Sequence, residues 1–112
     1  MADKADGALL VQLAQWGTML GLEDAMQALW SDDFDPEAAS ADDVFVTRVL
    51  NWGETIGTLT KNGLFDTDLA LDWLWVAGVW ERVAPAARKL REKHGAAEIY
   101  ENFEALALRQ TG

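Results

Sequence analysis

Between Leu69 and Trp80 the chain carries almost no polar side chain, and three of its six tryptophans, Trp73, Trp75 and Trp80, fall inside that run. Wound as a helix, it is apolar on more than one face. Leu69, Trp73, Val76, Trp80 and Val83 make one stripe, while Leu71, Trp75 and Gly78 point elsewhere. One partner helix cannot cover both, so the run is expected at the centre of a helical bundle. Its second face, with Trp75, Leu71 and Val79, is the candidate surface for a second subunit or another protein.

The chain has 112 residues, half of them hydrophobic, which is enough for one core. A single helical domain over 1–112 is the expectation. There is no cysteine, which excludes disulfides and thiolate metal sites and suits a reducing, cytoplasmic setting. The apolar run is interrupted by Asp72 and falls short of the roughly 20 residues a membrane-spanning helix needs. No membrane role is expected.

The net charge of −10 is uneven: residues 1–60 hold eleven acids against Lys4 and Arg48, leaving −1 for residues 61–112. Such a surface repels phosphate backbones, so nucleic acid is not an expected partner. An acidic face can also dock a basic protein by imitating nucleic acid, a further alternative.

Apolar residues recur at three and four along the chain, the helical period. Leu9, Leu13, Trp16 and Leu20 form a first stripe. Leu22, Ala25, Met26, Leu29 and Trp30 form a second, out of phase with it, which predicts a break at Gly21. After an acidic connection, Ser40 with Asp43 resembles a capping box for a third helix ending at Gly63. A fourth helix is predicted from Asp66 through the tryptophan run to His94, bent or broken near Ala84 by Pro85. The last spans about Ala97 to Gln110. The fold expected is all-α, a bundle of four to five helices whose long central helix is kinked near Pro85. Gly17 and Gly21, Gly53 and Gly57, and Gly78 are expected to leave room for close helix packing against indole rings.

Catalytic signals are absent. His94 is the only histidine, and its place beside Arg91 and Lys93 fits a helix C-terminus. The acids Asp32, Asp33, Asp35 and Glu37 lack the glycine and distal glutamate of a calcium loop, and Glu98, Glu101 and Glu104 lack partners for a carboxylate-bridged metal site. No catalytic residue, metal or cofactor is implied. Arg88 is the cation expected to hold a carboxylate, with Glu54 and Glu104 as candidates.

An ordered pattern runs through residues 44–107: Trp52-Gly53-Glu54, Gly63-Leu64-Phe65-Asp66, Trp80 ahead of Pro85 and Arg88, and Tyr100-Glu101-Asn102-Phe103-Glu104-Ala105-Leu106. It resembles a family of bacterial helical proteins classed as a domain of unknown function. The resemblance implies an all-helical fold and no assigned activity, with Glu54, Trp80, Arg88, Tyr100, Phe103 and Glu104 at pattern positions. The leading functional expectation is a soluble, non-enzymatic protein-interaction module that self-associates, as a dimer in the simplest case. The alternative is a helical protein that binds a small molecule or metal.

Overall fold

The computed structural model describes residues 1–111, and among them all regular structure is helical. Asp3 and Asp6 cap α1 (Lys4–Met19) reciprocally, each carboxylate accepting the other's backbone N–H at 2.9 Å. The bond from the Asp6 amide holds the Asp3 carboxyl below its usual 3.8. At Gly21 the backbone turns left-handed, φ +71°, and α2 (Leu22–Leu29) departs in a new direction. The phase jump between the two leucine stripes thus marks a true break.

The acidic connection leads into α3 (Val44–Lys61), where the sequence expectation needs correction. Asp43 is the cap itself, its carboxylate accepting from the amides of Phe45 at 2.8 Å and Val46 at 3.3 Å. Ser40 instead accepts from the Asp42 amide, one turn too early to serve the helix. Asn62 closes α3 and Gly63 follows in the left-handed region, as anticipated.

The fourth helix is two helices, which raises the number to six. Asp66 caps α4 (Thr67–Trp73), Leu74 is extended, and α5 (Val76–His94) starts afresh after Trp75. The amide of Gln110 in α6 (Glu101–Thr111) holds the gap from across the bundle. Its Nε2 donates to the carbonyls of Leu71 and Leu74, and its Oε1 accepts from the amide of Ala77. One side chain thus bonds to both helix ends. Helix α5 continues through Pro85 without interruption, and the break within the predicted fourth helix lies at Leu74 and Trp75. The proline's cost of about 3 kcal/mol is offset by its neighbours: Val83, Ala84, Ala86 and Ala87 are all buried in the core.

The centre of the bundle is α3 rather than the tryptophan run. It packs on α2, α4, α5 and α6, and its Val46, Val49 and Leu50 are wholly buried. The run is too apolar for one face, as its sequence implies, but the chain meets that problem by breaking the helix. Trp73 then turns to Trp52 and Phe65, Trp80 turns to Phe103, and Trp75 is left outside.

Helix α6 starts later than the sequence suggests because a residue of α3 caps it. Glu54 Oε1 accepts the backbone amides of Asn102 and Phe103 at 3.0 and 2.9 Å, and Oε2 accepts the Asn102 side chain at 2.9 Å. Tyr100, the only non-glycine residue among those described with positive φ (57°), makes the turn that aims these amides at Glu54.

Candidate functional site

Two arrangements qualify as candidate sites, an aromatic surface and a cleft, and a third cluster turns out to hold the fold together. The surface is built at the α4/α5 break. Trp75 is 65% exposed and its ring lies across Gly78, where any Cβ would collide with the indole. Trp30, at the end of α2 and 39% exposed, lies beside it with ring centroids 6.2 Å apart, and the Arg82 guanidinium stands 5.4 Å over the Trp30 ring. Of the sequence-predicted surface residues, Trp75 is exposed, whereas Leu71 and Val79 are half-buried against the core. Trp30 and Arg82 were missed as members of this surface. Nothing in their local sequence connects α2 to α5, and only the α2–α3–α5 packing brings them together.

Behind Trp75 the interior is tightly filled, leaving a cavity of about 40 Å³ between Met26, Ile56, Val79 and Phe103. On the other side of Met26 and Leu74 a larger cleft of about 420 Å³ opens between the α1–α2 corner and the rings of Trp52 and Trp73. Glu23 and Asp24, in the first turn of α2, stand at its rim.

The pattern positions other than Arg88 converge on the α3/α5/α6 junction. Glu54 caps α6, Trp80 packs on Phe103 at 5.0 Å, and the Tyr100 hydroxyl donates to Asn51 Oδ1 at 3.0 Å. Burial, and then the negative charge of Glu54, raise the Tyr100 phenol above its usual 10.0. The expected pairing of Arg88 with Glu54 or Glu104 does not form. Arg88 is exposed, and Arg91, one helical step further round α5, reaches the junction: its Nη1 meets Glu104 at 2.9 Å, its Nε donates to the Ile99 carbonyl, and its guanidinium covers the Trp80 ring. With Nη1 and Nε of Arg91, Glu104 and the Trp80 ring each matched to a partner, and only Arg91 Nη2 buried without one among the described residues, this cluster reads as a structural clamp on α6.

Other charged groups are also engaged with backbone. Lys89 donates to the carbonyls of Glu37 and Ala39 and so ties the acidic connection to α5. Asp35 accepts from the Glu37 amide in a local turn. Among the described residues no group of three or more His, Asp or Glu side chains is placed to hold a metal ion, and no helix is long and apolar enough to cross a membrane.

Neither the curated proteins nor the solved structures contain a match to this chain. A family defined as a domain of unknown function, DUF4760, matches residues 5–110, nearly the whole length, and the chain belongs to that family.

Proposed function

We propose that the protein is a non-enzymatic interaction module that self-associates as a symmetric dimer through the Trp30–Trp75–Arg82 surface. The observation that carries this reading is the exposure of Trp75: a large indole is held in a fixed position by Gly78 and Trp30, with much of its area facing outward. Removing that area from water on association is favourable, and aromatic residues beside an arginine are the composition that concentrates binding energy at interfaces. A two-fold contact would place each copy's Trp75 against the other's patch without leaving a free edge. The non-enzymatic part is supported by the use of the carboxylates: Asp3, Asp43, Glu54 and Asp66 accept backbone amides, which leaves them poorly suited to carry a substrate proton. The lack of cysteine suits a reducing cytoplasm.

Sedimentation equilibrium tests the proposal. The native chain is expected to show a concentration-dependent dimer in the micromolar range, and Trp75→Ala is expected to shift it to monomer with unchanged helical circular dichroism. A native chain that stays monomeric at tens of micromolar would rule out self-association.

A further inference from the structure

Most glycines in this protein have an evident reason. Gly21, Gly63 and Gly95 have positive φ, and a Cβ at Gly53, Gly57 or Gly78 would run into the Phe103 ring, the Asn102 backbone or the Trp75 ring. Gly17, like the exposed Gly7, has no such reason. It is buried in the last turns of α1 with ordinary helical backbone, and a Cβ there would meet Leu22 Cδ2 at 3.2 Å, a contact that a small movement of the leucine end relieves, and Trp52 Nε1 at 3.4 Å, an ordinary van der Waals distance. Packing therefore tolerates an alanine that the helix would prefer.

The neighbour of Gly17 is itself unusual. Trp52 is only 4% exposed, and its indole N–H has no hydrogen-bond partner among the described residues. A buried donor without an acceptor is costly, and native proteins keep few of them. Both Gly17 and Trp52 line the 420 Å³ cleft, a size within the usual range for small ligands, about 300–1,000 Å³. Its apolar wall includes Met26, Trp73 and Leu74, and the charged groups at its rim are the carboxylates of Glu23 and Asp24. A cation, Arg48, lies next to the lining residue Gly21, with Nη1 3.4 Å from where a Cβ on that residue would be, and the two rim carboxylates outnumber it.

We propose that this cleft binds a small organic cation that also carries a hydrogen-bond acceptor. Its ammonium group meets Glu23 and Asp24 at the rim, its apolar body lies against Trp73 and Met26, and its acceptor oxygen reaches the Trp52 N–H past Gly17 as the half-exposed Leu22 side chain turns aside. A glycine at position 17 keeps that path open.

The probe is para-methoxyphenethylamine, which has both features. Phenethylamine lacks the acceptor, and para-methoxyphenylacetate reverses the charge. In a ¹H–¹⁵N spectrum of the six indole N–H groups, the Trp52 signal, assigned by its loss in Trp52→Phe, is expected to move downfield and saturate with the first probe. Phenethylamine should bind about tenfold more weakly, the worth of one hydrogen bond. The Glu23→Gln/Asp24→Asn variant, altered only at exposed positions, should weaken the amine several-fold, and Gly17→Ala should fold normally while losing most of the binding. A Trp52 signal indifferent to the methoxy amine, as expected if the face of Trp73 already satisfies that N–H, overturns the proposal. So does tighter binding of the acid than of the amine, or equal binding by the Glu23→Gln/Asp24→Asn variant.

Discussion

Gly17 and Gly21 on one side of the molecule, and Gly53 and Gly57 on the other, share a spacing of four residues and lie next to a tryptophan, yet they do opposite things. At Gly53 and Gly57, α6 lies directly on the backbone of α3, with the Phe103 ring and the Asn102 peptide in the space two methyl groups would need. At Gly17 and Gly21 the chain turns a corner and leaves a cleft beside an unpaired indole N–H. The same local signature marks a sealed interface in one place and an opening in the other. What separates them is the partner: α6 is held down by Glu54, Arg91 and Gln110, whereas among the described residues no comparable long-range clamp lies on the cleft side of the α1–α2 corner.

Alanine at Gly57 should break the sealed side most severely. The obstruction is backbone, which cannot rotate away, so α6 must lift; a loss of about 3 kcal/mol is expected, read as a lower denaturant midpoint. Glu54→Ala comes next, at about 2 kcal/mol, because it leaves the amides of Asn102 and Phe103 at the start of α6 without their acceptor. Gln110→Ala should cost about 1–2 kcal/mol and raise hydrogen exchange at Ala77, whose amide it receives.

A smaller effect concerns the pH dependence of the same clamp. The chain has one tyrosine, so absorbance reports Tyr100 alone, and its midpoint is expected above 10.0. Since the folded state favours the neutral phenol, this group's contribution to stability is complete below its unfolded pKa and is lost as pH rises through the folded one. Glu54→Gln should lower the midpoint without returning it to 10.0, because burial is the larger cause. A midpoint at the ordinary value in the native protein would mean that the junction is open to water.

Much of the fold is legible in the sequence where the determinants are local. The phase jump at Gly21, the stop at Gly63, the cap at Asp66 and the stop at Gly95 all follow from residues within a turn of the feature they control. The misjudged features depend on residues distant in the chain. Gln110 lies 36 residues from Leu74, whose carbonyl it bonds, and Glu54 lies 48 from Asn102, whose amide it accepts; no periodicity encodes either. For the same reason the tryptophan run suggests a helix surrounded by others, although breaking that helix disposes of its several faces just as well. Residues such as Arg88 and Arg91, three apart on one helix, look equivalent until α6 is placed, after which only Arg91 reaches Glu104.

The contrast between the two glycine pairs is tested most directly by paired thermal unfolding of Gly17→Ala and Gly57→Ala. Gly57→Ala should melt well below the native protein. Gly17→Ala should melt a few degrees above it, a gain of about 0.5–1 kcal/mol from a stiffer α1 with little steric cost. If the two variants are destabilised alike, the cleft side is packed as closely as the sealed side, and position 17 is a glycine for packing alone.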